Sequence, residues 1–330
     1  MRKKVAIIAG GDSGEYTISM NSAAVVQETL DPDKYEPFLI QIKGKDWFYG
    51  NPEENISIDK NDFSLRVDGE HIRFDVVFCA IHGSPGENGK LPAYFEMLGI
   101  PYTSSDFITL ALTFDKNYCN RVVGSWGINV ARSLRFFKDD NIQIESIPDT
   151  LKFPVFVKPN CGGSSVGMSK VNKPDELEAA LSKAFREDGQ VLVEEFIDGR
   201  ELTCGVVELK GKIIVFPICE IVSKKEFFDF EAKYNPSLAM EKLPADIEHS
   251  VETEIKGIST LLYKKLNCKG VVRFDYILSN KEQQPYFLEV NTVPGLSRES
   301  IIPKMAKEMG IPLGGLFSTM VEDAMVGFGV

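Results

Sequence analysis

The chain has 330 residues, 43% of them hydrophobic and 26% charged, and a formal net charge of −11. That length allows two or three domains with separate cores, and the composition is ordinary for a globular protein. The acidic balance argues against nucleic acid or an anionic membrane as a partner but leaves room for a local cationic cluster that takes a nucleotide. No uninterrupted apolar run approaches the ~20 residues of a membrane span.

The opening stretch MRKKVAIIAGGDSGE has the basic residues and apolar run of a secretory leader, but VAIIA is shorter than the ~7–15 residues a leader needs. It reads instead as a first strand ending in a glycine-rich turn. A helical stretch follows (TISMNSAAVVQETLD), then a second strand (YEPFLIQI). FDVVFCAIHG (74–83) reads as a buried strand entering a Gly/Pro loop, and LPAYFEMLGIPYTSS as a helix and a short strand. This alternation predicts an open, mostly parallel α/β domain over residues 1–105. Ligands in such sheets sit beyond the carboxyl ends of strands, where Glu15 and His82 fall.

Residues 106–195 open with one helix, ITLALTFDKNYCNRVVGSWG, and continue through SLRFF. The hydrophobic strand FPVFVKPN (153–160) carries Lys158 just ahead of the loop CGGSSVGMSKV. A charged helix, KPDELEAALSKAFRE, has Pro174 near its first turn, and VLVEEFI (191–197) is the next strand. From 196 to 330 come ELTCGVVEL and KIIVFPICEI, read as antiparallel strands. The segment 224–246 shows no clear periodicity and has a length that suits a lid. VVRFDYIL (271–278) and YFLEVNTVPG (286–295) are strands, with the turn SNKEQQP between them. Six scattered cysteines and three distant histidines argue against a zinc site and fit reduced thiols in a cytoplasmic protein.

The last two strands carry the most chemistry. Side chains at i and i+2 share a face of a strand, so Arg273 aligns with Asp275 and Glu289 with Asn291. A hairpin centred on Glu282 would set Asp275 opposite Glu289 and Arg273 opposite Asn291. Two carboxylates and a carboxamide on one face suit a hard cation such as Mg²⁺; the alternative is a solvated face with charges paired across it. NCGGSSVG (160–167) is neither a Walker A loop nor GxGxxG, and a plain turn fits it as well as a phosphate cover. Lys158 beside it tips the balance toward phosphate, whereas Lys116 reads as a surface lysine. VLVEEFIDGRELT offers Glu194, Glu195 and Glu201 at a strand end that either holds a nucleoside or is simply solvated.

KPNCGGSSVG, VLVEEFIDGRELT, FDFEAKY, VVRFDYIL and FLEVNTVPG, in this order, together with GGDSGEYTIS and AIHGSPGENG, resemble the D-alanine–D-alanine ligase family of ATP-grasp carboxylate–amine ligases. The resemblance implies an N-terminal open α/β domain (1–105) and two ATP-grasp subdomains (106–195 and 196–330, α+β in the C-terminal half) that hold ATP between them. It also implies ligation of two D-alanines to D-alanyl-D-alanine for peptidoglycan precursors, in a cytoplasmic homodimer. Lys116, Lys158 and the Ser164–Ser165–Val166 loop would meet the ATP phosphates. Glu194, Phe196 and Ile197 would hold the adenine edge, and Glu201 the ribose. Asp275, Glu289 and Asn291 would bind two Mg²⁺ ions, with Mn²⁺ able to substitute. Glu15 would receive the ammonium of the first D-alanine, in a hydrogen-bonded set with Ser164 and Tyr234, while Lys233 and Glu231 serve the lid. Arg273 and the Gly295 amide would stabilise the oxyanion, Ser300 and Ile301 would sit by the second substrate, and His82 would lie near the substrate end of the cleft.

Phe228, Phe230 and Asn88 depart from the usual family residues without removing a phosphate or metal ligand. By the same resemblance Tyr234 favours the amide-forming, D-alanine-adding branch over ligases that make the ester D-alanyl-D-lactate, and the alternative within the class is a D-alanine–D-lactate or D-alanine–D-serine ligase. Two readings from other classes remain at this stage. A dinucleotide-binding oxidoreductase lacks GxGxxG, and a silent nucleotide-binding protein should have lost one of Arg273, Asp275, Glu289 or Asn291.

Overall fold

The computed structural model describes residues 2–50, 55–223 and 239–329. Its first sheet has the order β4 (Ile56–Ser57), β3 (Asp46–Tyr49), β2 (Tyr35–Lys43), β1 (Lys3–Gly10), β7 (Val76–Cys79). β1 runs parallel to both β2 and β7, whereas β2, β3 and β4 pair antiparallel. The sheet is thus less parallel than the sequence pattern suggested, because Gly44 and Lys45 turn the chain directly back at its edge. A two-stranded ribbon, β5 (Leu65–Val67) with β6 (Glu70–Ile72), lies between β4 and β7 in the chain. Helix α1 (Tyr16–Thr29) follows β1, and its buried face packs on the central strands.

After α2 (Lys90–Leu98), the single long helix expected from the sequence is two: α3 (Phe107–Phe114) and α4 (Lys116–Ser125). Asp115 divides them. It leaves the helical region (φ −83°, ψ 102°) and its carboxylate accepts from the Tyr118 amide, capping α4. Lys116 therefore opens a helix instead of riding on the flank of one.

The second sheet has the order β10 (Ser169–Val171), β9 (Val155–Pro159), β11 (Gln190–Glu195), β8 (Ser133–Phe137), all antiparallel. A short α5 (Ile147–Thr150) precedes β9, and α6 (Leu177–Ala184) packs Leu177, Leu181 and Ala184 into the core beneath the sheet.

The third sheet is built on β12 (Gly199–Leu209), which pairs antiparallel with β13 (Lys212–Val215), β14 (Cys219–Ser223) and β16 (Val271–Ser279). β15 (Ala239–Lys242) borders β14, and β17 (Pro285–Asn291) borders β16. KIIVFPICEI is therefore two strands, with Pro217 in the gap between β13 and β14. Helix α7 (His249–Lys265) buries Ile255, Leu262 and Tyr263 against this sheet.

α8 (Ile301–Glu308) and α9 (Leu313–Gly327) return to the first sheet. Phe317, Met320 and Val321 join Val5, Ile7 and Phe78 in one core, with the Phe78 and Phe317 rings 5.6 Å apart. None of the six cysteines is in a disulfide.

Candidate active site

The hairpin pairs the expected site residues, but through a bulge: its register shifts by one between Asp275 and Tyr276, so that nearer the turn Tyr276 faces Phe287. Across β16 and β17, Arg273 faces Asn291 and Asp275 faces Glu289. Asp275 is buried, and Arg273 grips it twice: Nε donates to Oδ1 at 2.8 Å and an Nη to Oδ2 at 2.8 Å. Asn291 Nδ2 donates to Oδ2 at 2.9 Å. Thr203 on β12, directly opposite Asp275, donates to Oδ1 at 2.6 Å. Burial works against the charged form of Arg273, but Asp275, Glu289 and Glu201 outweigh it and hold the guanidinium above its usual range.

This donor set fits a hard divalent cation. Two carboxylates and one carboxamide share a face, and because the Asn291 nitrogen is given to Asp275, the amide oxygen is left for a ligand. Among the described residues no group of three His, Cys, Asp or Glu side chains stands ready for a metal, since the third donor here is an amide.

On the nucleotide side, Lys158 is buried and its Nζ lies 2.9 Å from Glu194 Oε1, while Asn120 Nδ2 donates to Glu194 Oε2 at 3.4 Å. Lys116, lifted to the start of α4 by the break at Asp115, donates to the Gly162 carbonyl at 2.6 Å and lies 3.6 Å from Glu289. Phe196 donates its amide to the Pro154 carbonyl at 3.0 Å, so that amide is not open to an adenine edge. Its ring packs on Phe156 and carries Lys170 4.2 Å from its centroid. Ile197 follows in the link between β11 and β12, and Glu201 stands on β12 between Ile221 and Ile277.

In the glycine–serine loop Ser164 and Ser165 both adopt left-handed backbone angles (φ 54° and 57°), uncommon for residues with a side chain. Ser164 is buried and donates to Glu15 Oε1 at 2.6 Å, whereas Val166 is exposed. A Cβ on Gly163 would lie 3.0 Å from Glu15 Oε2, so this glycine lets the loop close on the carboxylate.

The wall opposite is made by 292–301. Ser300 precedes α8, and its hydroxyl is 2.8 Å from that of Ser297. A Cβ on Gly295 would fall 2.7 Å from Ser300 Oγ, which explains the glycine there; Ile301 is the first residue of α8. His82 is buried with both ring nitrogens engaged, Nδ1 on the Val293 carbonyl at 2.6 Å and Nε2 on Ser22 at 3.2 Å. The sequence reading set it beside a substrate; the structure gives its hydrogen bonds to protein.

Two cavities open between these walls. One of about 930 Å³ is lined by Lys158, Glu194, Phe196 and Ile197, the other of about 780 Å³ by Arg273, Asp275, Asn291, Gly295 and Ser300. Glu15, Lys116, Ser164, Glu201 and Glu289 line both, and so mark where they meet. Tyr234, Lys233, Glu231, Phe228, Phe230 and most of the expected lid lie outside the described residues. Sequence reasoning missed Thr203 and Asn120. It passed over Glu87, whose carboxylate accepts from the Gly83 amide at 2.7 Å and the Val293 amide at 3.0 Å. Only the GSPGENG spacing, a carboxylate four residues after a glycine turn, hinted at it.

Family models described as D-ala D-ala ligase N-terminus and D-ala D-ala ligase C-terminus match residues 4–105 and 122–322. A D-alanine–D-alanine ligase of Flavobacterium johnsoniae is 44% identical over 321 residues, covering 97% of this chain and 98% of its own. The crystal structure of the VanG D-Ala:D-Ser ligase from Enterococcus faecalis superposes with a TM-score of 0.85 at 33% identity, covering 100% of both chains. The Bacillus anthracis D-alanine–D-alanine ligase complexed with ATP gives 0.80 at 29% identity, covering 100% of this chain and 99% of that one. The architecture is that of an ATP-grasp ligase, with a cleft between the second and third sheets. The chain belongs to the D-alanine–D-alanine ligase family.

Proposed function

We propose that this protein joins two D-alanines into D-alanyl-D-alanine with cleavage of ATP to ADP and phosphate, for peptidoglycan precursor synthesis. The observation that carries the reading is the meeting of a nucleotide-sized cavity and a polar one at Glu15, Lys116, Ser164 and Glu289. A carboxylate is a poor acyl donor because its leaving group would be oxide. An oxygen of the first D-alanine carboxylate attacks the γ-phosphorus, the bond to the β-phosphate oxygen breaks, and ADP leaves with the electron pair. The resulting acylphosphate has phosphate as its leaving group. The neutral amine of the second D-alanine then attacks the carbonyl carbon, and the tetrahedral oxyanion collapses as phosphate departs, the nitrogen giving its proton to the departing phosphate.

Residues of this chain serve each stage. Glu15, fixed by Ser164, takes the first ammonium. Lys116 and Lys158 neutralise phosphate oxygens, and the Ser164–Val166 loop covers them. The adenine edge is met by the Phe196–Ile197 link and the ribose by Glu201. Arg273 and the Gly295 amide receive the oxyanion, with Ser300 and Ile301 at the second substrate. Asp275, Glu289 and Asn291 would hold Mg²⁺ or Mn²⁺, which supplies positive charge beside the transferring phosphoryl group. A cover that keeps water from the acylphosphate is what the family resemblance implies for Tyr234, Lys233 and Glu231, which lie outside the described residues.

We place domain boundaries near 105 and 195; the passage from the first sheet to the second between Cys79 and Ser133, and to the third between Glu195 and Gly199, supports this division. The need for ATP and the unpaired thiols favour the cytoplasm; no helix among the described residues is long and apolar enough to cross a membrane. A homodimer is the expected assembly for this family. The likeness to a D-Ala:D-Ser ligase makes D-serine the second acceptor to test. The test is mass spectrometry of products from ATP, Mg²⁺ and D-alanine, with L-alanine as control and D-serine or D-lactate as competitor. D-Alanyl-D-alanine with ADP is expected; absence of ADP under every condition would refute the reading.

A further inference from the structure

Val293 is held by the first domain through both of its backbone groups. Its amide donates to Glu87 Oε1 at 3.0 Å, and its carbonyl accepts from His82 Nδ1 at 2.6 Å. A carbonyl can only accept, so Nδ1 carries the ring proton. The other ends of both side chains are tied down. Glu87 Oε2 accepts from the Gly83 amide at 2.7 Å. His82 Nε2 lies 3.2 Å from Ser22 Oγ, which itself accepts from the Leu296 amide at 3.0 Å, leaving the Ser22 hydrogen for the ring. The Val293 side chain is buried beside Ile8, Val77, Ile81 and Leu91 of the first domain. The peptide that leaves the Asp275–Glu289–Asn291 hairpin is thus gripped at Val293 and Leu296, on either side of Gly295.

From this geometry we propose that Glu87 and His82 are positioning residues, gripping Val293 so that the Gly295 amide two residues on points at the reacting carbonyl. The inference rests on the ligase reading above. Neither side chain has to touch the reacting atoms. Glu87 opens on the polar cavity, but each oxygen already accepts an amide, and both His82 nitrogens are engaged. An oxyanion donor acts only where it is preorganised, and one held on a loose peptide loses its advantage. The phosphoryl-transfer step uses Lys116, Lys158 and the glycine–serine loop, which the clasp does not touch. Loss of the clasp should therefore slow amine attack more than acylphosphate formation, and the stranded acylphosphate is lost to water.

Glu87→Gln tests this, because it keeps the volume but sets an amide nitrogen against one of the two N–H donors. Dipeptide kcat should fall about tenfold or more, as for a weakened oxyanion donor. The KM for ATP should hold, and the ratio of ADP to dipeptide should rise clearly above the wild-type value of one. His82→Ala, which frees the Val293 carbonyl, should raise the same ratio and serves if the first variant does not fold. An unchanged ratio in the folded variants, or losses of ATP affinity, turnover and melting temperature in parallel, would overturn the proposal in favour of a merely structural role. A wild-type protein that makes no dipeptide removes the ligase reading itself and the clasp's role with it.

Discussion

Ser164 donates a 2.6 Å hydrogen bond to Glu15, joining the glycine–serine loop of the second sheet to the first turn after β1. The bond holds a carboxylate at the point where the two cavities meet. Hydrogen bonds to charged groups contribute about 1.5–3 kcal/mol, so Ser164→Ala should raise the KM for D-alanine roughly tenfold or more. Steady-state kinetics at saturating ATP would check it; an unchanged KM would remove Ser164 from the first-substrate site.

Arg273 and Asp275 form a double hydrogen bond with little solvent around Asp275. Lysine cannot reproduce the fork, and Arg273→Ala leaves a buried carboxylate without its counter-charge, held only by the neutral donors Thr203 and Asn291. Removing one partner of such a pair typically costs about 3–5 kcal/mol, so the alanine variant should melt several degrees lower as well as lose ligation. ATP binding should stay measurable by calorimetry in the lysine variant. Wild-type turnover in either variant would exclude an oxyanion role for Arg273.

Asp115→Ala removes the cap of α4. Helix caps are worth about 0.5–2 kcal/mol, and here the cap also decides where Lys116 begins. The variant should lose stability by that order and show a raised KM for ATP, whereas Asp115→Asn should retain most of both. An alanine variant with an unchanged KM would mean that the helix start does not position Lys116.

Glu87 gives a pH signature. Burial first, then the charge of Glu15, and more weakly that of Glu289, push its carboxyl up to about 7, against the opposing pull of the Gly83 and Val293 amides. Between 4.5, its ordinary value, and about 7 the folded chain therefore holds a proton that the unfolded chain has released. This group costs no stability below that window and its full penalty above it, so its contribution falls as pH rises. Melting temperatures at pH 5 and pH 8 should differ more for the wild type than for Glu87→Gln. His82 and Arg273 also face this region, and both are retained in the comparison. Parallel pH profiles would show that Glu87 does not titrate in this window.

Much of the site could be read from local patterns. Strand alternation put Arg273 with Asp275 and Glu289 with Asn291 on shared faces, but the pairing across the hairpin also depends on a one-residue register shift between Asp275 and Tyr276 that no sequence pattern announced. Lys116 was not legible, since its place depends on a helix break that looks like continuous helix in apolar pattern. The TFDKN stretch carries that signal only to a reader who takes Asp115 for a cap. Thr203 on Asp275 and the Glu87 grip on Val293 join residues far apart in the chain, so no local spacing encodes them. The adenine link was half legible: the glutamates stood out, but the use of the Phe196 amide by Pro154 required the fold.

Helix α9 fills the core beneath the first sheet, with Phe317 against Phe78 and Met320 and Val321 beside Val5 and Ile7. During synthesis, β1, α1 and β7 emerge from the ribosome long before their packing partner exists. Domains usually fold as they are made, but this one must wait with an apolar face uncovered until the last helix arrives. A ribosome stalled before residue 313 would display a nascent first domain open to chaperones and proteases, whatever the state of the sheets that bind the nucleotide.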